Sequence, residues 1–301
     1  MLNIALVAVL ALAPQATSLK GHKRDVNCVA VSADGKQIVS GSEDNEVKIW
    51  NEEGGVAATR ASDQGPVQTV AISPDGKTVV VGSQYGDVSL WDPAAGKDRY
   101  TSRGHGSRVN GSAFLPDGKS FVTVSTDHAV KIWDVATGKE TAALNGHKYA
   151  VMGVAVSKDG SKIYTCDDGN NVKTWSPAGK ELASVDTGKS AYAVAVSADG
   201  KLLGVGHEDG TVTIADAATG KALRQVKLAD KVNALAFSPD GKLLAAGMRE
   251  AEMALVDVAE GKQARTLKGH ERPVMGVAFL PDGKKLVSAS MDHTLRIWEM
   301  E

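Results

Sequence analysis

The sequence predicts an all-β fold built from seven copies of one short unit. An Asp-Gly pair recurs at intervals of 40 to 42 residues, and the position sixteen residues after each of these aspartates holds tryptophan in five of the seven copies. Self-similarity at this period is typical of repeat proteins in which each unit is one supersecondary motif. The pairs begin at Asp34, Asp75, Asp117, Asp159, Asp199, Asp240 and Asp282, and the tryptophan positions are Trp50, Trp91, Trp133, Trp175, Ala215, Val256 and Trp298.

Each unit reads as about four short β-strands. In the first unit, residues 29–32 and 37–40 flank a turn in which Gly35 supplies the positive φ of a tight hairpin. Residues 47–50 then alternate between apolar and polar side chains, which is the pattern of a strand. An alanine stands four residues before every Asp-Gly pair and indicates a crowded innermost strand beside a central axis. These alanines are Ala30, Ala71, Ala113, Ala155, Ala195, Ala236 and Ala278.

The composition is that of a folded protein with a nearly neutral net charge. The 301 residues are 43% hydrophobic and 23% charged, and 34 lysines and arginines face 36 aspartates and glutamates. Counterion release on nucleic acid needs a concentrated basic face, so nucleic acid is not an expected partner. The sequence has no phosphate-binding glycine loop, no His-Glu-x-x-His and no paired cysteine motif. We therefore expect no cofactor and no metal site.

The remaining cysteines and histidines are predicted to have no chemical role. Cys28 and Cys166 fall in distant repeats, so free thiols are favoured over a disulfide. His128, His207 and His293 fall near turns in separate units, and we interpret them as solvated turn residues rather than metal ligands.

The first thirteen residues differ from the rest of the chain. Residues 1–13 are apolar except for Asn3, and they end in Ala11-Leu12-Ala13, a small-x-small sequence typical of a signal-peptide cleavage site. Two features oppose this interpretation, because no lysine or arginine precedes the apolar run and Pro14 follows the cleavage point. We expect an exported protein, periplasmic or secreted, with no transmembrane span in the mature chain. The alternative is an apolar N-terminal segment on a cytoplasmic protein.

The repeats also carry two dipeptides that point to a known family. Trp-Asp is literal at Trp91-Asp92 and Trp133-Asp134, in register with the seven Asp-Gly pairs. Together the motifs resemble the WD-repeat β-propeller family over residues 13–301. The resemblance implies a seven-bladed β-propeller of four-stranded antiparallel blades, with residues 14–301 as one domain. The Gly-His pairs stand at Gly21-His22, Gly104-His105, Gly146-His147 and Gly269-His270.

The start of the domain is predicted to close the ring. The chain ends three residues after Trp298, which leaves the last blade without an outer strand of its own. Residues 15–20 lead into Gly21-His22 as residues 263–268 lead into Gly269-His270. We therefore expect the N-terminal strand to pair with the strand ending at Trp298 and to cover an edge that is otherwise open to aggregation.

A recurrent set of serine, histidine and aspartate has the components of a catalytic triad. The resemblance implies instead a structural tetrad, in which tryptophan donates to serine or threonine, the hydroxyl donates to histidine, and histidine donates to aspartate. A nucleophile needs an exposed site and an oxyanion hole, whereas a set repeated at the blade period indicates scaffolding, so we predict no catalytic residue. The complete sets are His22, Ser40, Asp44 and Trp50; His105, Thr123, Asp127 and Trp133; and His270, Ser288, Asp292 and Trp298.

The other four units depart from this set, and we expect their blades to lack the network and to use apolar packing instead. In the order of the histidine, serine, aspartate and tryptophan positions, they read Asp63, Val81, Tyr85 and Trp91; His147, Thr165, Gly169 and Trp175; Thr187, Val205, Asp209 and Ala215; and Leu228, Ala246, Glu250 and Val256.

Loop residues that the repeat does not fix point to protein binding. In the resembled family, the narrower face, which carries the Gly-His loops and the tetrad aspartates, commonly receives partner proteins. We call it the Gly-His face. The innermost strands begin there with Asn27, Gln68, Asn110, Met152, Tyr192, Asn233 and Met275. Because aromatic residues, methionine and arginine are enriched in interfaces, the candidate contacts are Arg108, Tyr149, Met152, Tyr192, Lys231, Arg249 and Met275.

These observations favour a monomeric, non-enzymatic scaffold that binds a protein partner. Two other classes stay open: an enzyme or small-ligand-binding propeller with its site in the central channel, and a sensor or regulatory propeller. Fold alone does not choose among them, since propellers host many functions. The sequence shows no acid, base or metal cluster outside the repeat, and this favours binding over catalysis.

Overall fold

The computed structural model describes residues 16–300, and every helix or strand in that range is a β-strand. The strands are β1 (Ala16–Lys20), β2 (Val26–Val31), β3 (Ile38–Ser42), β4 (Glu46–Trp50), β5 (Val56–Ala61), β6 (Val67–Ile72), β7 (Val79–Ser83), β8 (Asp87–Asp92), β9 (Lys97–Arg103), β10 (Val109–Phe114), β11 (Ser120–Ser125), β12 (Val130–Asp134), β13 (Glu140–Leu144), β14 (Val151–Val156), β15 (Ile163–Asp167), β16 (Asn171–Trp175), β17 (Glu181–Asp186), β18 (Ala191–Val196), β19 (Leu202–His207), β20 (Thr211–Asp216), β21 (Ala222–Lys227), β22 (Val232–Phe237), β23 (Leu243–Met248), β24 (Met253–Asp257), β25 (Lys262–Leu267), β26 (Val274–Phe279), β27 (Lys285–Ser290) and β28 (Thr294–Glu299).

These strands form seven four-stranded antiparallel sheets, which are the blades of a propeller. Blade 1 contains β2 to β5, the next five blades each take four consecutive strands, and blade 7 contains β26, β27, β28 and β1. The first strand of each blade is the innermost. Each innermost strand contacts those of both neighbouring blades, from β2 and β6 round to β26 and β2, so the ring is closed. The predicted fold class is confirmed.

Strand β1 supplies the missing outer strand of blade 7. It pairs antiparallel with β28, with Ala16 opposite Trp298 and Lys20 opposite Thr294. Leu19 is buried in the same cluster as Leu295 of blade 7 and Trp50 of blade 1. The predicted closure is confirmed for residues 16–20. The predicted signal segment, with the rest of residues 1–15, lies outside the described residues, as does residue 301.

The hydrophobic core lies between the blades. One cluster joins Val39, Val47 and Ile49 of blade 1 to Val79 and other side chains of blade 2. Both faces of a blade are therefore covered, which explains why the second strands, such as β3 and β7, are buried at every residue. The outer strands, in contrast, are mostly exposed.

The loops divide between two faces because adjacent strands run antiparallel. The Gly-His face carries the loops before each innermost strand and those between the second and third strands. The opposite face carries the Asp-Gly turns. All seven of their glycines have φ between 66° and 74°, the left-handed region that favours glycine. The turn chemistry predicted from the sequence is thus present in every blade.

Candidate protein-binding face

A β-bulge at the second residue of every innermost strand shapes the centre of the Gly-His face. A bulge leaves one residue out of the hydrogen-bonded ladder and re-aims its side chain. The bulged residues are the seven that the sequence placed at the start of these strands, and all of them line the central channel: Asn27, Gln68, Asn110, Met152, Tyr192, Asn233 and Met275.

The channel has a volume of about 210 Å³ and is lined by each bulged residue and the two residues after it. Among these described lining residues there is no histidine, aspartate, glutamate, lysine or arginine. Cys28 contributes a thiol, but burial raises its pKa to about 12 and keeps it protonated at neutral pH. The described channel wall therefore offers no carboxylate, imidazole or amine as a general acid or base.

The three bulged asparagines join neighbouring blades. The side-chain amide of Asn27 donates to the Val67 carbonyl of blade 2 at 2.9 Å, and Asn110 donates to the Val151 carbonyl at 2.8 Å. Asn233 makes the equivalent bond to Val274 at 3.2 Å. These positions have a structural role, whereas the other four bulged side chains make no such bond within the described residues.

The structure brings the predicted tetrad residues together in blades 1, 3 and 7. In blade 3, Trp133 Nε1 donates to Thr123 Oγ1 at 2.8 Å, the Thr123 hydroxyl lies 2.7 Å from His105 Nε2, and His105 Nδ1 lies 3.1 Å from Asp127 Oδ2. The same three contacts recur in blade 1 through Ser40 and in blade 7 through Ser288. All three hydroxyl-bearing residues are fully buried and hydrogen-bonded on both sides, so none can reach a substrate.

The electrostatics of the tetrads suit a neutral histidine between a hydroxyl and a carboxylate. Burial lowers the pKa of His105 and outweighs the opposing effect of Asp127. Burial also opposes ionisation of Asp44, but hydrogen bonds from His22 and from the backbone amide of Lys23 prevail, and the pKa of Asp44 lies far below its usual range. The neutral ring can then donate from Nδ1 and accept at Nε2.

Blade 4 has a complete network, and the expectation that it lacks one is wrong. Asp167 replaces the carboxylate missing at Gly169, with its Oδ2 atom 2.6 Å from His147 Nδ1. Thr165 links that histidine to Trp175 with distances of 2.7 and 2.8 Å. Asp167 stands two residues earlier than the other tetrad aspartates, at a position where those blades have serine, so alignment by spacing missed it.

Blades 2, 5 and 6 lack the network, as the sequence predicted. In blade 2, Val81 stands at the serine position, and Trp91 Nε1 is buried without a hydrogen-bond partner. In blade 6, Leu228, Ala246 and Val256 occupy the histidine, serine and tryptophan positions and pack in one aliphatic cluster. In blade 5 the corresponding residues line a small cavity of about 30 Å³.

Histidine chemistry outside the tetrads is limited. His128 and His293 are exposed turn residues with φ of 72° and 70°, as expected. His207 differs, because it is buried on β19 with Nε2 3.0 Å from Thr213 Oγ1, so the prediction of a solvated position is wrong there. The signal available in the sequence was the apolar run that includes Val205, which predicts a buried strand continuing to His207.

One group of side chains has the composition of a metal site. Ligand atoms of His22, Asp44 and Glu46 lie within 4.8 Å of one another. Both nitrogens of His22 are already used, by Asp44 and Ser40, and Glu46 forms an ion pair with Lys48 at 2.7 Å. These residues are therefore occupied by the tetrad and its surroundings.

The candidate contacts differ in how far they are already paired. Arg249 donates two hydrogen bonds to Asp230, at 3.1 and 3.2 Å. Lys231 places Nζ over the Tyr192 ring, 3.1 Å from its centroid, a cation–π contact on the channel wall. Met152 and Met275 also line the channel mouth. The structure thus gathers four of the seven candidates around the central channel.

Arg108 and Lys231 are cations without a carboxylate within 4.0 Å among residues 16–300. Burial lowers the pKa of Lys231, and the charges of Arg249 and Arg108 act in the same direction against Glu208. Arg108 is solvent-accessible, yet nearby protein atoms displace part of its hydration and lower its pKa, which Glu43 opposes. The positive charge of Arg108, on blade 3, contributes to the lowered pKa of Lys231, on blade 6.

Two exposed tyrosines lie on loop glycines of this face. The Tyr149 ring covers Gly169, where an added Cβ would meet Tyr149 Cδ2 at 1.9 Å, and 52% of the Tyr149 side chain stays exposed. Tyr85 covers Gly65 in the same way in blade 2 and is 57% exposed. Sequence reasoning singled out Tyr149 but missed Tyr85 as a surface aromatic. The available signal was its position at the tetrad aspartate of blade 2.

The closed ring and the tetrads define a seven-bladed β-propeller with a channel-centred face. A family model described as "WD domain, G-beta repeat" matches residues 13–51, 57–92, 96–134, 138–176 and 261–299, well over half of the chain. The chain therefore belongs to the WD40 repeat family. The model "Anaphase-promoting complex subunit 4 WD40 domain" matches residues 225–279. No curated protein matches the chain.

Membership gives the general class of function. WD40 propellers generally act as scaffolds for protein interaction and usually bind protein partners. Residues 16–300 include no helix of the length and hydrophobicity needed to cross a membrane.

Proposed function

We propose that this protein is a non-enzymatic scaffold that binds another protein through the Gly-His face. The observation that carries the proposal is the ring of seven bulged positions, which share one backbone geometry: three hold asparagines that join blades, and the other four hold glutamine, methionine and tyrosine without such a bond. A scaffold that is constant from blade to blade can encode specificity only in such variable side chains. Tyrosine, methionine and arginine concentrate here, and these residues are enriched in interfaces.

Two further observations support binding rather than catalysis. The tetrad hydroxyls of Ser40, Thr123 and Ser288 are buried and hydrogen-bonded, which leaves them unavailable as nucleophiles. The described wall of the central channel carries no carboxylate, imidazole or amine, and the thiol of Cys28 is held protonated. A partner surface laid over the channel mouth needs none of these chemical groups.

Partner capture from native extract tests the proposal. Immobilised wild-type protein is compared with Tyr192→Ala and Arg108→Ala, and Arg265→Ala on the outer strand β25 serves as the control. Each Gly-His variant should retain less of the partner, with a change in stability below about 0.5 kcal/mol, as is usual for surface substitutions. Equal capture by all four proteins would contradict the proposal.

We also propose that the protein is exported, with cleavage close to Ala13. Strand β1 begins at Ala16, so cleavage there leaves the strand that closes the ring. N-terminal sequencing of the native protein decides the matter. A mature chain that begins near residue 14 supports export, and recovery of intact Met1 from soluble cytoplasm contradicts it.

A further inference from the structure

The shifted carboxylate of blade 4 has a consequence at the protein surface. Because Asp167 takes the tetrad contact to His147, position 169 is free to be glycine, and its amide donates to Asp167 Oδ1 at 3.1 Å. Any larger residue at 169 would collide with the Tyr149 ring. The departure from the tetrad pattern thus leaves room for the exposed Tyr149 ring to lie against Gly169 on the Gly-His face.

The chain brings Tyr149 close to the boundary between blades 3 and 4, because it lies just before the innermost strand of blade 4. The Asn110 side chain on β10 contacts both the Val151 carbonyl and, at 3.7 Å, Met152 Sδ on β14. Arg108 directly precedes β10, and Tyr149 lies two residues before β14. We call Arg108, Tyr149 and Met152 the blade 3–4 patch. It combines a cation, an exposed aromatic ring and an adaptable thioether, the residue types that dominate binding hot spots and adaptable contact surfaces.

The charge pattern of the face indicates what the blade 3–4 patch can accept. Arg249 and Arg272 are already paired with Asp230 and Asp25, at 3.1 and 2.9 Å. Arg108 is exposed and has no such partner among residues 16–300. An unpaired cation at a binding surface attracts a carboxylate and disfavours a second cation.

We propose that the partner docks off-centre on the blade 3–4 patch with an acidic segment, placing a carboxylate on Arg108 and a neighbouring apolar side chain on Tyr149 and Met152. This inference rests on the proposed function and names the chemistry of the partner segment. The other charged residues around the channel mouth, which are of both signs, then orient the partner and do not form the main contact.

A phage-displayed library of linear twelve-residue peptides is the probe. It is selected on the immobilised full-length protein, and the most enriched sequence is synthesised with a fluorescent label, together with a copy in which each Asp and Glu is changed to Asn or Gln. Binding is measured for wild type, Arg108→Glu, Gly169→Ala and Tyr149→Ala. Arg265→Glu and Gly106→Ala are matched controls, since Arg265 is an exposed arginine of an outer strand and a Cβ at Gly106 meets no atom closer than 3.8 Å.

Enriched peptides should pair Asp or Glu with Leu, Phe or Met. Arg108→Glu and the neutralised peptide should each weaken binding about tenfold or more, and Gly169→Ala should weaken it several-fold by displacing the ring, while both controls bind as wild type. Tyr149→Ala supplies the same test if Gly169→Ala melts early. Enrichment of lysine-rich or arginine-rich peptides, no enrichment, or affinity unchanged in Arg108→Glu overturns the inference. If one of these outcomes is found but Tyr192→Ala still loses capture of the native partner, the inference about the acidic segment fails and the proposed function is retained.

Discussion

Blades 3 and 6 have the same four strands and the same bulge, yet different interactions hold them together. In blade 3, a hydrogen-bonded chain runs from Trp133 through Thr123 and His105 to Asp127. In blade 6, the histidine, serine and tryptophan positions hold Leu228, Ala246 and Val256, which form one cluster with Val212 and Leu244. A directional network and non-directional packing therefore support one backbone geometry.

The comparison teaches that the tetrad is one of two solutions to filling the space beneath the Gly-His face. A buried polar group without a partner costs stability, which favours a complete network or apolar packing; blade 2 retains part of that cost, because Trp91 Nε1 is buried without a partner. The WD-domain matches omit residues 177–260, which contain blade 5 and most of blade 6. Four of the five matched segments carry a complete network and the fifth, residues 57–92, does not, while the fold extends over the unmatched residues as well.

The largest effect is expected from removal of the strand that closes the ring. Deleting residues 1–20 removes β1, exposes the edge of β28 and takes Leu19 out of the core. Deleting residues 1–15 keeps β1 and is the matched control. Thermal unfolding should show a large loss of stability for the longer deletion alone. Equal melting of the two truncated proteins would refute closure by β1.

In blade 6, Leu228→Ala should cost more than any single change to a tetrad. Leu228 is buried in the aliphatic cluster, and such truncations cost about 2–5 kcal/mol through lost burial and a residual cavity. The free energy of unfolding from chemical denaturation gives the measurement. A cost below about 1 kcal/mol would mean that packing does not replace the network there.

In blade 3, His105→Ala should cost about 1–3 kcal/mol because it leaves Thr123 and Asp127 with unsatisfied buried groups. The same denaturation assay applies, with partner capture measured in parallel. An unchanged stability together with the loss of a hydrolytic activity would overturn the structural role of the tetrad.

A pair of tryptophan substitutions isolates the hydrogen bond from the packing. Trp133 donates to Thr123, whereas Trp91 has a buried Nε1 without a partner. Both side chains are buried, so Trp133→Phe and Trp91→Phe lose similar apolar area. Trp133→Phe should be the more costly by about 1 kcal/mol. Equal losses would show that the indole hydrogen bond contributes nothing to blade 3.

The smallest effect concerns pH. The pKa values of His105 and His147 are lowered in the fold, chiefly by burial. In the unfolded chain these histidines have a pKa of about 6.5, so on acidification they take up protons before the folded protein does. The stability that the neutral histidines contribute is therefore present above about pH 6.5 and is lost as the pH falls below it. The melting temperature should drop between pH 7.5 and 5.5, less steeply in His105→Gln. A melting temperature that rises on acidification would contradict the lowered pKa values assigned to His105 and His147.

The repeat made the fold predictable, because seven copies of one strand pattern leave little choice of topology. It did not reveal Asp167, since alignment by spacing looks for a carboxylate at position 169, whereas the contact to His147 depends only on reach. It also could not show the contact between Tyr149 and Gly169, or the stacking of Lys231 on Tyr192, which depend on loop conformation. Residues that build the scaffold recur at the same position of each repeat, whereas the candidate binding residues differ from one repeat to the next.

Crosslinking with mass spectrometry on native material tests the central claim, binding through the Gly-His face, most directly. We expect crosslinks from a protein partner to concentrate on loops of that face, at lysines such as Lys148 and Lys231, with few on outer-strand lysines such as Lys97 and Lys262. Crosslinks that map mainly to the Asp-Gly turns or the outer strands would contradict the claim.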